Sequence, residues 1–326
     1  MQMPKGSGLE VLDKVVRSSL KYYADTFKTD SLKQSIFGST KRGPVFELPS
    51  FELPSLDSLK RPVEALVKGL NNAVAQFTAK PEKTDYYAVV NSFLPPGAKL
   101  LKPQYPENAN EIQFADLDGD SRNELVASYK TNDGVKTLVL RKDEVQWYKM
   151  AEISNPEFEG IHYRNSANVA GDGKMYLLLG LTSKLQNRTI FAYSLDDGNA
   201  RKIFSRKYSK LDLQKSRSTA GSSAKATLAL WNEEAPDIYD IELVNWNGFE
   251  LEQLDNTRYL AGKVVPYYIR KLKQNSKDAV NWYNLANAMS KSGNTANAAT
   301  AVDLGLERNP DTQLKDRFNT LKNRLK

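Results

Sequence analysis

Hydrophobic residues recur at spacings of three and four at Leu9, Leu12, Val16, Leu20, Tyr23 and Phe27, which predicts an amphipathic helix over 9–28 with one buried face. A second stripe, Leu59, Val63, Leu66, Leu70 and Val74, predicts a helix over 56–78, with Pro62 in its first turns where a missing N–H does no harm. Between them stands a perfect tandem repeat, Phe46-Glu47-Leu48-Pro49-Ser50 and Phe51-Glu52-Leu53-Pro54-Ser55. Proline at every fifth position excludes helix and central strand, so the segment is extended. It reads either as a spacer over a neighbouring surface or as a strip whose Phe46, Leu48, Phe51 and Leu53 enter a partner's pockets. From Asp85 to about Gly262 the pattern turns to short alternations of period two. Asn132-Asp133-Gly134, Asp196-Asp197-Gly198-Asn199 and Asn245-Trp246-Asn247-Gly248 divide them as hairpin tips. After Gly262 the helical spacing returns, with helices expected over 262–274 and 311–325. Three regions follow: helical with a proline-bearing linker at 1–80, β at 85–262 and helical at 263–326. The class expected is mainly β with helical ends, α+β and multidomain overall.

Within the β region, Asp116-Leu117-Asp118-Gly119-Asp120-Ser121-Arg122-Asn123-Glu124 spaces four carboxylates along one loop. Calcium takes about 6 to 8 oxygen ligands at roughly 2.3 to 2.6 Å. Asp116, Asp118 and Asp120 offer side-chain oxygens from alternate positions, Gly119 permits the turn, Arg122 offers its carbonyl and Glu124 closes the shell. Ile112-Gln113-Phe114-Ala115 before the loop and Leu125-Val126-Ala127-Ser128-Tyr129 after it read as strands, so the expectation is one structural Ca2+ site between strands, not an EF-hand between helices. The competing reading is an acidic hairpin turn without metal, since Asp and Gly also favour ordinary turns.

The loop is echoed. Asn168-Val169-Ala170-Gly171-Asp172-Gly173-Lys174-Met175-Tyr176 stands 52 residues further along, and a fainter copy is read from Asp212, 44 residues beyond Asn168. Recurrence near 50 residues predicts a bladed, propeller-like array of about three to four blades. Ala170 and Tyr176 replace Asp118 and Glu124, so only the first loop is expected to hold metal. Closure would need the strands near 97–103 and 249–260 to supply a further blade.

Composition narrows the chemistry. The chain has 326 residues, of which 40% are hydrophobic and 26% charged, as in soluble globular proteins. No apolar run reaches the roughly 20 residues that span a bilayer, and Met1 to Gly8 is polar, so no signal peptide is read there. The chain is therefore expected to be cytosolic or to have followed a removed signal. With no cysteine and one histidine, His162, disulfides, thiolate sites and His-based triads are not expected. The net charge of +7 lies at the ends: residues 1–80 hold 12 basic against 8 acidic residues, 81–265 hold 23 against 26, and 266–326 hold 11 against 5. These charges are dispersed among apolar positions without a base-stacking platform, so nucleic acid is not an expected partner.

Asp116 to Tyr129 resembles an FG-GAP or VCBS-type repeat, the calcium-bearing hairpin of integrin-like propellers. Together with Ser92-Phe93-Leu94-Pro95-Pro96-Gly97-Ala98-Lys99-Leu100-Leu101-Lys102-Pro103, residues 90 to 260 are similar to uncharacterised lipoproteins of Gram-positive bacteria. That resemblance implies an extracytoplasmic protein held at the membrane by a lipidated cysteine ahead of Met1. Trp282, Leu285, Ala286, Met289, Gly293, Ala298, Val302, Gly305 and Pro310 resemble a tetratricopeptide repeat turning at Ser292-Gly293-Asn294, which implies a protein partner met by Trp282, Tyr283, Leu285 and Met289. The function expected is a non-enzymatic, calcium-stabilised scaffold of the bacterial cell or spore envelope. Two alternatives stay open: a cell-wall polysaccharide-binding or -processing enzyme using Trp147, Trp231 and Trp246 on sugars, and a cytosolic tetratricopeptide adaptor.

Overall fold

The computed structural model describes residues 8–27, 84–196, 198–215 and 225–326. The tandem FELPS repeat and the helix expected over 56–78 lie outside these. Helix α1 (Gly8–Phe27) follows the predicted stripe. Helix α2 (Tyr86–Phe93) lies almost wholly in a compact unit of residues 39–92, whereas residues 1–38 and 93–326 form the unit that holds the other described elements. A helix here corrects the expectation of strands from Asp85. The Asp85 carboxylate accepts from the N–H groups of Tyr87 (3.0 Å) and Ala88 (3.1 Å), an N-cap that satisfies the first turn.

Among the described residues thirteen strands form three antiparallel sheets, taken up in chain order. The first holds β1 (Lys99–Leu101), β2 (Ile112–Ala115), β3 (Glu124–Thr131), β4 (Gly134–Lys142) and β5 (Trp147–Asn155). Both β1 and β2 lie along one edge of β3, opposite Ser128–Lys130 and Glu124–Ala127 respectively. The second is the meander β6 (Phe158–Ala167), β7 (Tyr176–Ser183), β8 (Arg188–Asp196) and β9 (Asn199–Tyr208). The third is β10 (Lys210–Lys215), β11 (Ala226–Ala235), β12 (Ile238–Trp246) and β13 (Leu251–Leu254). The segments expected to supply a further blade complete existing sheets instead: β1 pairs with β3 and β13 with β12.

Side-chain alternation explains the stacking. In β7, Leu177, Leu179 and Leu181 face a core shared with Val126, Val139 and Ile153 of the first sheet. Leu178 faces the opposite way, into a core with Leu228, Leu230 and Val244 of the third. The second sheet is thus buried on both faces, and β7 reads as a nearly continuous apolar run for that reason. Gly180 is required in it, because a Cβ there would stand 2.1 Å from the Tyr208 hydroxyl. Arg164 of β6, only 2% exposed, crosses to the first sheet's side and donates to the carbonyls of Asn110 (2.7 Å) and Glu111 (2.8 Å) and to the Ser128 hydroxyl (3.2 Å).

The other face of the third sheet, with Ala229, Trp231 and Ile241, joins the helical core. Helix α3 (Thr257–Tyr259) continues through a π-helical stretch (Leu260–Val264) into α4 (Val265–Gln274), followed by α5 (Ala279–Lys291), α6 (Thr295–Leu306) and α7 (Thr312–Arg324). Asp278 and Asp311 cap α5 and α7 by accepting from the N–H groups of Asn281 and Leu314. Asn284 of α5 donates to the Asp237 carbonyl (2.7 Å) and ties the helices to the β11–β12 turn. Helix α1 packs against α4 and α6. Its Tyr23 shares a 2.6 Å hydrogen bond with Ser292, and Ser18 donates to Asn297 at 2.6 Å. The buried face expected for this helix is present, and the elements that cover it are the C-terminal helices.

Candidate metal centre

The β2–β3 ladder ends at Ala115 opposite Glu124, so the intervening residues must turn within one connection. Leu117, 1% exposed, anchors that turn in the core between the first two sheets. Around it the carboxylates bond the loop's own backbone. Asp116 accepts from the N–H of Gly119 (2.7 Å) and Ser121 (2.9 Å), Asp118 from that of Asp120 (3.2 Å), and Asp120 from that of Arg122 (2.8 Å). Gly119 takes φ +83°, as the expected sharp turn requires, and Ser121 takes +67°.

One carboxylate oxygen from each of Asp116, Asp118 and Asp120 lies within 4.8 Å of the others. Two ligands of a single calcium ion stand no more than about 5 Å apart, so these three fit one ion. Glu124 lies outside this three-way group. It is fully buried; Oε2 accepts from the Leu117 N–H at 2.7 Å, and Oε1 has no hydrogen-bond partner. Burial pushes its carboxyl up to about 7, and the Asp118 and Asp116 carboxylates add to the rise against the Leu117 N–H. Arg122 enters the observed hydrogen bonding of the loop through its N–H.

Sequence reasoning missed Arg141. Its guanidinium reaches from β4 and donates to Asp118 and to Asp120. Its relevance depends on the β3–β4 register, which sets Leu140 opposite Leu125 and so brings Arg141 level with the loop. No spacing in the sequence carries that information.

The echo at Asn168 keeps the same turn. Asn168 Oδ1 accepts from the Gly171 N–H at 2.7 Å and Asp172 Oδ1 from the Lys174 N–H at 3.0 Å, matching the bonds of Asp116 and Asp120 at the 52-residue offset. Val169, 1% exposed, takes the place of Leu117 and enters the next core. Tyr176 replaces Glu124, and its hydroxyl donates to Asp172 Oδ2 at 2.7 Å. The third copy read from Asp212 is misplaced. Asp212 lies inside β10, where it accepts from Gln214 (2.6 Å) and Tyr259 (3.1 Å).

The other candidate residues serve the interior. Trp282, Leu285 and Met289 are 0% exposed and Tyr283 is 5% exposed, all within the helical core, so any partner of the repeat must meet other side chains. Trp231 is buried and donates to the Tyr259 hydroxyl at 3.1 Å, and Trp246 packs on Phe204. His162 is buried with Nδ1 2.8 Å from the Tyr208 hydroxyl; burial, then the charge of Arg188, holds it down to about 4.

Comparison with protein-family models, with curated proteins and with solved structures returns no match for this chain.

Proposed function

We propose that this chain is a non-enzymatic, calcium-stabilised interaction scaffold of the bacterial cell or spore envelope. In this reading the three sheets are blades of a propeller-like array, and the helical repeat meets another protein of an envelope complex. The observation that carries the metal is the Glu124 carboxylate, buried with one oxygen unpartnered beside Asp116 and Asp118. A buried charge without a partner is costly. A divalent cation held by Asp116, Asp118 and Asp120, with the Arg122 carbonyl in its shell, would offset that cost once the Glu124 carboxylate moves in to close the shell. An all-oxygen, carboxylate-rich set suits a hard cation. The ion would fasten the end of β2 to the start of β3 and relieve the repulsion among their acids. The extracytoplasmic placement and the lipid anchor rest on the family resemblance, and millimolar calcium outside the cytoplasm would fill even a weak site.

The test is a thermal-shift titration with calcium on the wild type and on Asp118→Ala with Asp120→Ala. The wild type should melt higher with calcium and the double variant should not respond. A double variant that responds like the wild type removes the assignment.

A further inference from the structure

The last hairpins of the first and third sheets turn in the same way. Between β4 and β5, Asp143 Oδ1 accepts from the N–H groups of Val145 (2.8 Å) and Gln146 (2.7 Å), and the Asp143 N–H donates to the Gln146 carbonyl at 3.1 Å. Between β12 and β13, Asn247 Oδ1 accepts from the N–H groups of Phe249 and Glu250, both at 2.9 Å, and the Asn247 N–H donates to the Glu250 carbonyl at 3.1 Å. One turn is thus held by a carboxylate and the other by the corresponding amide.

Gly248 follows Asn247, and this is the one Asn-Gly pair in the chain. Both residues are exposed. Gly248 takes φ +109°, and a Cβ there would meet nothing within 4 Å, so its nitrogen can approach the neighbouring side chain without a clash. Among the described residues no hydrogen bond engages that N–H or the Asn247 amino group. The N–H groups of Phe249 and Glu250 already point at Oδ1, where negative charge gathers when a nucleophile adds to Cγ. Asn165 is the contrast. The N–H of its follower, Ser166, donates back to Asn165 Oδ1 at 2.9 Å, and both residues are fixed in the β6–β7 ladder.

We propose that Asn247 is a self-modification site, at which the Gly248 nitrogen displaces the side-chain amide and water then leaves a carboxylate in its place. The nitrogen gives its proton to a solvent base and bonds to Cγ. The bond from Cγ to Nδ2 breaks, and ammonia leaves with a proton from water. The succinimide so formed takes up one water: opening at Cγ yields isoaspartate's main-chain acid or aspartate's side-chain acid according to which carbonyl is attacked. In sum an amide and water become a carboxylate and ammonium, and the chain loses one unit of positive charge. The turn accepts aspartate, because Asp143 makes the same bonds in the twin hairpin, where the N–H groups of Gln146 and Val145 hold its carboxyl below the usual range. Isoaspartate instead routes the main chain through the side-chain methylene, which lengthens a turn closed by the Asn247–Glu250 bond and displaces the acceptor that both N–H groups share.

The test incubates the full chain in mildly alkaline buffer, folded and in urea, and follows the conversion of each asparagine to acid by peptide mass spectrometry, with enzymatic methylation to mark isoaspartate. In the folded chain Asn247 should convert about tenfold or more faster than Asn165, a barrier difference of about 1.4 kcal/mol. Asn247→Gln should remove the product from this peptide, and Asn247→Asp should melt with the wild type. Conversion at Asn247 in urea but not in the folded chain would show that the turn locks the side chain away from Gly248 and would overturn the proposal, as would equal rates at Asn165 and Asn247. An Asn247→Asp variant that melts lower would refute the accommodation of aspartate.

Discussion

Glu124→Gln should stabilise the metal-free protein and abolish its response to calcium, a reversal of sign that separates a metal ligand from an ordinary core acid. The carboxyl titrates at about 7 in the fold against an ordinary 4.5. That gap corresponds to about 3 kcal/mol, at roughly 1.4 kcal/mol per pH unit. Because the folded value is the higher one, ionised Glu124 destabilises the fold fully above pH 7, and the penalty fades as pH falls toward 4.5. Glutamine keeps a carbonyl for the Leu117 N–H and puts an amide donor where Oε1 lacks a partner. In EDTA at pH 8 the variant should therefore melt higher, by on the order of 5–10 °C at about 2–4 °C per kcal/mol. Acidification to pH 5 should close most of that gap by raising the wild type. Saturating calcium should raise the wild type and leave the variant in place. Calorimetry of both proteins with and without calcium at the two pH values reads all of this. A variant no more stable than wild type in EDTA at pH 8 would refute the electrostatic argument, and a variant with an undiminished calcium response would refute Glu124 as a ligand.

Arg141→Gln should tighten calcium binding about fivefold by isothermal titration, since the ion no longer displaces a partly buried ion pair worth about 1 kcal/mol; unchanged or weaker binding contradicts the competition. Gly180→Ala should lower the urea midpoint by the equivalent of about 1–3 kcal/mol, because its Cβ meets the Tyr208 hydroxyl at 2.1 Å, and Tyr208→Phe in the same chain should restore part of the loss. In Gly305→Ala a helix-propensity gain of about 1 kcal/mol opposes a contact of 2.2 Å with the Phe318 ring. Overpacking should win and the variant should melt lower, with partial rescue by Phe318→Leu; a more stable single variant would show that Phe318 yields freely.

What the sequence disclosed was local. Gly119 and the alternate acids specify a turn whose hydrogen bonds close within five residues, and the same is true at Asn168 and Asp172, so both loops were legible. Helix α1 was equally plain from its stripe, but its partners were not: Ser292 and Asn297 lie more than 260 residues away in the chain. Arg141 and Arg164 act across registers and between sheets, where spacing says nothing. Asp212 was misread because an acid in a strand looks like an acid in a turn until its ladder with β11 is known. The tetratricopeptide-like signature was read as a partner surface, yet large apolar residues at helical spacing fill the core first, and Trp282 and Met289 do so. Gly305, a poor helix former, is explained only by how closely α6 approaches Phe318.

The two loops also form an internal comparison that bears on the metal. They share turn hydrogen bonds and a buried apolar anchor, so backbone geometry cannot account for their different chemistry. In the second loop the closing position is Tyr176. Burial and the Asp172 carboxylate push its hydroxyl up to about 12, so at neutral pH it stays protonated and donates to that acid. The loop then needs no cation. In the first loop the closing position is a carboxyl raised to about 7, which on ionising becomes a further acceptor with no proton to give. Arg141 answers Asp118 and Asp120, while Glu124 Oε1 has no partner. The deficit of positive charge is therefore local to the one position where the loops differ most. In the proposed reading a cation there would satisfy Glu124, whereas a second arginine from a neighbouring strand would only repeat what Arg141 already does.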